Sequence, residues 1–397
     1  MKTVLLAWER GGGLGHTTHL RRIAARLRPH GVKPIAVVRN LATTAPHQGV
    51  FAEVAAAPPW PVDGSSATRG MSGPSATLND MLSAAGLADG EAVGRILSAW
   101  DKIFSLTRPD LVIADYSPLA ALAARGRIPL VVVGNGFTVP PAEMPRFPLL
   151  HRIVPPAFDE ARTLETVNTA AARVGLPRLD RLPQLFAGDA CLAQCFRLLD
   201  PYDAQRVSPV QGPVFEELPM SRAADAKQVF AYLSNDTNAW TFALEALLRV
   251  AERLRIYAPL WPQAPLDRLA AAGARVETRP QPITTVLAAS RLIVHFGGSG
   301  LASEALVAGV PQLVFGDHIE HNLYGEALER AGIARLVPTY LPDTRLEPHA
   351  IRALIDDDAM VDRAAALGSR LRTTAARHDA LAHCEAICMD LLRASHP

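Results

Sequence analysis

Residues 292–322 read LIVHFGGSGLASEALVAGVPQLVFGDHIEHN. Leu292, Ile293 and Val294 make a short apolar run, as a strand buried in a parallel sheet would. Gly297, Gly298 and Gly300 then permit a sharp turn and a close approach of backbone to a ligand. Ser299 can cap a helix whose apolar face is marked by Leu301, Ala305, Leu306 and Val310, and Gly309 and Pro311 end it. A second apolar run, residues 312–315, leads into a polar loop holding Asp317, His318, Glu320 and His321. The N–H groups at such a strand–helix junction, together with the helix dipole, suit an anion, most naturally a phosphate. A turn that merely joins the parts of a βαβ unit can have the same letters, so the stretch alone leaves both readings open.

A like junction opens the chain. Residues 3–8 read as an apolar strand, ERGGGLGH at 9–16 as a glycine-rich loop, and Leu20, Ile23, Ala24 and Leu27 recur at helical spacing. The loop is not the G-x-G-x-x-G dinucleotide pattern. Arg39 and Asn40 stand after the next strand, residues 34–39, where such a site would place an acid, so no nicotinamide cofactor is expected. His16 sits where open α/β sheets bind ligands, and imidazole titrates near neutrality, as a general base must. A histidine that only hydrogen-bonds its own loop would fit the same place. His19 reads as a helix residue able to face the same side. Residues 109–137, PDLVIADYSPLAALAARGRIPLVVVGNGF, add a strand ending in Asp115 and another followed by Asn135, Gly136 and Phe137. Asp115 or Ser117 could also serve as a helix cap.

These motifs resemble those of GT-B glycosyltransferases, in the family that includes UDP-glucuronosyltransferases and macrolide glycosyltransferases (glycosyltransferase family 1-like). The family's donor motif runs H-G-G-x-G-T-x-x-E-A-L-x-x-G-V-P and is followed by an acidic residue and Gln. Residues 296–311, FGGSGLASEALVAGVP, fit in register, and Glu320 and His321 occupy the acidic–Gln position. The departures are Phe296 for a diphosphate-binding His, Leu301 for Thr or Ser, His321 for Gln and Tyr324 for Asn.

The resemblance implies an α/β chain of the GT-B class, two Rossmann-like domains facing each other across a cleft. It implies His16 as the base that takes the acceptor proton, with Asp115 fixing its tautomer and stabilising the imidazolium. It implies a donor site drawn from Gly15, Ser234, Asn235, Gln281, Phe296, Gly297, Gly298, Ser299, Gly300, Leu301, Glu304, Glu320 and His321. Glu304 would hold the ribose diol, since a carboxylate accepts two hydrogen bonds, and Glu320 and His321 would meet the sugar hydroxyls. Ser299 and the amides of residues 298–301, with His295, could offset the lost phosphate His. Acceptor contacts are expected from Trp60, Met71, Asn135 and Phe137. Trp60 and Met71 fall in residues 55–77, rich in Pro, Gly, Ser and Ala, which read as a long loop.

A chain of 397 residues can hold two domains of ordinary size. The expected division is an acceptor-binding domain at 1–205, a proline-rich linker at 206–224, a nucleotide-sugar-binding domain at 225–375, and a helix at 376–397 crossing back to the first domain. Apolar residues at 49% and charged residues at 20% are ordinary for a globular protein, and a net charge of +1 gives no electrostatic reason to expect nucleic acid. No apolar run could span a bilayer and residues 1–30 lack a signal-peptide layout, so a cytoplasmic enzyme is expected. Cys191/Cys195 and Cys384/Cys388 share a spacing of four without any zinc-type C-x-x-C, so free thiols are expected.

The function expected is inverting transfer of a sugar from a nucleoside diphosphate sugar, UDP- or dTDP-linked, to a hydroxyl of a small, partly apolar acceptor. Neither a metal nor a cofactor enters this scheme, since no Asp-x-Asp pair suggests a metal. A GT-B sugar-nucleotide epimerase would need further acid–base carboxylates around the sugar, and the sequence offers no such cluster. A non-catalytic sugar-nucleotide-binding partner of a glycosyltransferase is the other alternative, motivated by Phe296 and Leu301.

Overall fold

The computed structural model describes residues 1–47, 49–61, 75–150, 154–234, 238–339 and 344–394. The chain divides into two compact units, Met1–Val214 with Asp379–Pro397, and Phe215–His378.

The first unit is built on parallel strands β1 (Lys2–Trp8), β2 (Val32–Val38), β3 (Glu53–Ala56), β4 (Leu111–Asp115), β5 (Leu130–Gly134) and β6 (Ala190–Ala193), in the order β3-β2-β1-β4-β5-β6. Its connecting helices are α1 (Gly15–Leu27), α2 (Leu78–Leu82), α3 (Gly90–Thr107), α4 (Pro118–Ala124) and α5 (Glu160–Arg173). Strands β4 and β5 are buried along their whole length, which is why they read as unbroken apolar runs rather than alternating ones. Helix α3 forms because Asp89 accepts the N–H groups of Glu91 and Ala92 at its start, and because Val93, Ile96, Leu97, Trp100 and Phe104 line one face. Burying each of those side chains contributes roughly 1.5–3 kcal/mol.

The second unit repeats the winding. Strands β7 (Gln228–Tyr232), β8 (Leu254–Tyr257), β9 (Arg275–Val276), β10 (Ser290–His295), β11 (Gln312–Gly316) and β12 (Ala334–Pro338) lie in the order β12-β11-β10-β7-β8-β9. Its helices are α6 (Trp240–Leu248), α7 (Gln263–Ala271), α8 (Ile283–Ala289), α9 (Ser299–Ala308), α10 (Ile319–Arg330), α11 (Ala350–Asp356) and α12 (Asp358–Arg377). In each sheet the first strand of the unit pairs with the fourth, β1 with β4 and β7 with β10. The strand order reverses at those two places, and ligand crevices of open α/β sheets lie beyond the carboxyl ends of the strands there.

The structure adds to the sequence reading in three elements. Strand β3 occupies the start of the expected loop at 55–77. Its residues are all exposed and show no alternation, and pairing of Val54 with Ala36 on β2 is what makes it a strand. Helix α6 stops at Leu248, because Leu254 and Ile256 beyond it are drawn into the second core as the inward face of β8. The helix expected at 376–397 begins only at Ala380, after α12 has ended at Arg377. Asp379 accepts the N–H groups of Leu381 and Ala382 at 3.0 Å each, capping a new helix, α13 (Ala380–Ala394). Cys384, Cys388 and Leu392 of α13 recur every four residues and complete the first unit's core with Leu20, Ile23 and Leu27. All four cysteines are free thiols. Among the described residues no helix is long and apolar enough to cross a membrane.

Candidate functional site

The first cluster of chemistry lies where β1 and β4 end side by side, with Trp8 in register with Asp115. His16 is in the first turn of α1, and its Nδ1 lies 2.9 Å from Asp115 Oδ1. The imidazole stacks on Trp8, with ring centroids 5.2 Å apart and planes at 21°. Gly11 has φ +89°, and a Cβ there would fall on the His16 ring, so only glycine lets the loop close over it. Asp115 is 1% exposed. Burial would raise its pKa, but contacts with His16 and His19 outweigh burial and hold it at about 2. An ionised carboxylate can only accept, so His16 Nδ1 carries a proton and Nε2, turned away from Asp115, is the basic nitrogen.

Glu9 follows the last residue of β1 and is buried. Its Oε1 accepts the Trp100 indole N–H at 2.6 Å, and its Oε2 accepts the Leu119 and Ala120 N–H groups at 2.9 and 3.3 Å at the start of α4. Burial raises its pKa to about 7 against these bonds. Arg10 lays its guanidinium over the Trp60 ring, 4.9 Å from the centroid, and Arg39 donates to the Gly11 carbonyl.

Of the acceptor residues named from the sequence, Trp60 is buried under Arg10. Asn135 Oδ1 accepts the Thr138 N–H at 3.0 Å. Phe137 corrects an expectation: it is 0% exposed and packs edge-on against Tyr116, so it supports the wall from behind and has no surface to offer an acceptor. Met71 lies outside the described residues. Gly15 is the first residue of α1, with open space where a Cβ would be. Sequence reasoning missed the full partnership of His19: its Nδ1 is 2.8 Å from Asp115 Oδ2 and its Nε2 is 2.6 Å from Gln194 Oε1. Its spacing of three from His16 on one helix was the available signal.

The second cluster lies at the junction of β10 and α9. Gly297 turns the chain with φ +86°. A Cβ on it would stand 2.9 Å from Val314 Cγ1 and 3.1 Å from the His321 carbonyl oxygen. Gly298, not Ser299, is the N-cap of α9. A Cβ at Gly298 or Gly300 would meet nothing, so the amide end of this ten-residue helix opens outward. Such an end favours an anion.

Phe296 is the second correction. It packs into an apolar cluster, 6.0 Å from Phe315, which in turn stands edge-on to Phe242 at 5.1 Å. A ring so placed fills volume and offers no polar contact to a donor. His295, weighed as its substitute, is buried and spent on the turn. Its Nδ1 accepts the Gly297 N–H at 3.0 Å and its Nε2 faces Gln312 Oε1 at 2.9 Å, while burial lowers its pKa to about 4. It is a neutral brace for the glycine loop.

Glu304 is half-buried, and with Ser234 it gathers around the Tyr232 phenol, whose pKa burial and the Glu304 charge raise against a Ser234 hydrogen bond. Leu301 packs against the apolar cluster of Phe230 and Ile293. Gln281 is engaged within its own unit, accepting from Arg255 and donating to the Arg279 carbonyl at 3.0 Å. Asn235 lies outside the described residues. Glu320 is half-buried, and His321 Nδ1 lies 2.6 Å from Asp317 Oδ1. Asp317 is exposed at the surface; partial desolvation works against its ionisation, but His321 and His318 keep it well below the usual carboxylate range.

Donor atoms of Asp317, His318 and His321 lie within 4.8 Å of one another, close enough for one metal ion. The two imidazoles are close and tilted to each other, with centroids 3.7 Å apart and planes at 33°. Asp356–Asp358 fits Asp-x-Asp by letter, but Asp357 caps α12 through the Met360 N–H at 2.8 Å and Asp358 pairs with Arg291 at 2.5 Å.

Residues 270–386 match the family model described as "Erythromycin biosynthesis protein CIII-like, C-terminal domain". The chain is 26% identical over 272 residues to a PGL/p-HBAD biosynthesis rhamnosyltransferase of Mycobacterium bovis, covering 58% of this chain and 57% of that protein. It thus spans little more than half the length of that relative. It is 33% identical over 101 residues to the elloramycin glycosyltransferase ElmGT of Streptomyces olivaceus, a quarter of each chain. Among solved structures, the calicheamicin glycosyltransferase CalG4 superposes over 100% of both chains with a TM-score of 0.67 at 17% identity. The spinosyn rhamnosyltransferase SpnG, solved with spinosyn aglycone, covers 98% of this chain and 100% of its own with a TM-score of 0.63 at 16% identity. The chain therefore has the GT-B fold, and the resemblance carried by residues 296–311 extends to both of its units.

Proposed function

We propose that this GT-B chain is a glycosyltransferase that moves a sugar from a nucleoside diphosphate to a hydroxyl of a small aglycone, with inversion at the anomeric carbon. The His16–Asp115 hydrogen bond at the carboxyl edge of the first sheet carries the reading. His16 Nε2 takes the proton from the acceptor hydroxyl, whose oxygen forms the new bond to the anomeric carbon. The bond from that carbon to the diphosphate oxygen breaks, and the diphosphate leaves with the electron pair. Attack opposite the leaving group inverts the centre. Asp115 stays ionised and supports the imidazolium that forms. The open amide end of α9 suits the charge growing on the diphosphate, and Glu304 the diol of the ribose. No step draws on a metal ion.

The relatives named rhamnosyltransferase, and the SpnG structure solved with thymidine diphosphate, favour a dTDP-linked deoxysugar over a UDP-sugar as the first donor to test. The test is release of nucleoside diphosphate from dTDP-rhamnose and UDP-glucose in the presence of polyketide-type aglycones, with melting temperature read in parallel. A bound donor raises the melting temperature by mass action. The expected outcome is turnover lost in His16→Ala and a donor-induced shift lost in Glu304→Ala. A donor-induced shift with neither transfer nor donor hydrolysis would replace the enzyme by a sugar-nucleotide-binding partner, the reading that the packing of Phe296 favours.

A further inference from the structure

The glycine loop of the first unit stands where a reacting hydroxyl would have to stand. A Cβ on Gly11 would fall against His16 Nε2, with Cδ2 at 3.2 Å and Cε1 at 3.4 Å behind it. Over a face of the ring the three atoms would be nearly equidistant. Here both carbons are set back behind the nitrogen by similar amounts. The Gly11 backbone therefore approaches along the outward axis of Nε2, the direction in which that nitrogen accepts a hydrogen bond. A hydroxyl oxygen bonded to Nε2 lies about 2.6–3.2 Å out on this axis. It would come within about 2.5 Å of the Gly11 Cα, whereas close Cα···O contacts are about 3.3 Å. Acceptor and loop cannot both occupy this place.

The chain on either side of Gly11 is held unequally. On the strand side, Glu9 takes the Leu119 and Ala120 N–H groups, the Arg10 N–H donates to the Tyr116 carbonyl at 3.1 Å, and the Trp8 indole donates to the Arg10 carbonyl. Gly11 receives a hydrogen bond from Arg39 at its carbonyl. On the helix side, a Cβ at Gly12 or Gly15 would meet nothing, Gly13 turns with φ +73°, and Leu14 is 46% exposed. Glycines at 11, 12, 13 and 15 let this half swing with little steric resistance.

We propose that residues 11–15 are a gate over the base: closed, Gly11 covers His16 Nε2 and Arg39 holds it there, and the acceptor opens the gate by taking the place of Gly11. The inference rests on the reading of His16 as the base. The gate keeps water from reacting in the acceptor's stead. In that side reaction the water oxygen bonds to the anomeric carbon, the diphosphate leaves with the electron pair, and the proton goes to His16 Nε2. The Gly11 contact bars a water oxygen from Nε2 as it bars a hydroxyl. An aglycone has binding surface to offset the opening of the loop, and a lone water has little. The donor is spared until the acceptor arrives.

The first test needs no activity. Diethyl pyrocarbonate acylates accessible imidazole nitrogens, and peptide mass analysis reads each histidine of the full chain separately. His16 should react several-fold more slowly than exposed His349. Arg39→Met should raise the His16 rate several-fold while His19, on the same helix and bonded to Gln194, keeps its own rate. Arg39→Lys, which can still donate to the Gly11 carbonyl, should stay near the native rate. Gly13→Ala disfavours the left-handed turn of the closed loop and should raise the His16 rate too, which keeps the test open if Arg39→Met misfolds. An unchanged His16 rate in both variants, or His16 and His19 rising together, would overturn the gate. The second test is the ratio of donor hydrolysis to transfer. Arg39→Met should raise it several-fold and lower the KM for the acceptor; an unchanged or lowered ratio would overturn the water-excluding role. Faster His16 modification in the variants, with neither transfer nor hydrolysis in any form, would sink the glycosyltransferase reading and leave the covered histidine standing.

Discussion

Two buried side chains at the ends of β1 and β4 titrate in opposite senses. Asp115 has its pKa lowered from 3.8 to about 2, so it binds fewer protons folded than unfolded across that range. Its contribution to stability is present above pH about 4 and is lost as pH falls toward 2. Glu9 is raised from 4.5 to about 7, so the folded chain binds more protons there, and its contribution is full below 4.5 and lost as pH rises toward 7. The Glu9 shift corresponds to roughly 3 kcal/mol. Melting temperature measured from pH 4.5 to 7.5 should therefore fall relative to Glu9→Gln, whose own curve should be flatter; parallel curves would show that Glu9 is not buried as described. Asp115→Asn should lower kcat/KM by about 100- to 10,000-fold, because an amide that donates toward His16 or His19 disrupts the tautomer the base needs. His19, which completes this group, was visible in the sequence only as a helical residue near His16. Hydrogen bonds between residues 96 and 175 positions apart leave no local trace in the chain.

At the scale of elements, the glycine-rich turn before α9 separates two uses of glycine. Gly297 needs its left-handed backbone and has Val314 and His321 against it, so Gly297→Ala should cost about 1–3 kcal/mol of stability. Gly298 has an ordinary backbone and open space, so Gly298→Ala should leave the melting temperature nearly unchanged and weaken nucleotide binding instead. Equal effects on both readouts would contradict this division. The strand–turn–helix order was legible because burial on both faces writes β10 and β11 as apolar runs and Gly309 ends α9 with φ +71°. The direction of Phe296 was not. A strand's next side chain can turn to solvent or core, and the choice was made by Phe315 and Phe242, 19 and 54 residues away in sequence, closing around it. Edge strand β3 was illegible for the opposite reason: it carries no pattern, and its partner alone makes it a strand.

At the scale of the molecule, the same winding is used twice, and each reversal of strand order carries one set of candidate residues. The first unit is completed by a helix from far along the chain. Leu392→Ala should cost about 2–3 kcal/mol in the first unit. The nucleotide affinity of the second unit should hold, read as an unchanged dissociation constant against a lowered melting temperature. Because α13 supplies part of that core, the order of synthesis matters. While a ribosome is still making residues 215–378, the first 214 residues lack Cys384, Cys388 and Leu392 of their core, so their nascent apolar surface waits for α13 before it can close. A nascent chain stalled before residue 380 should recruit chaperones at its first unit, and one released after residue 394 should shed them.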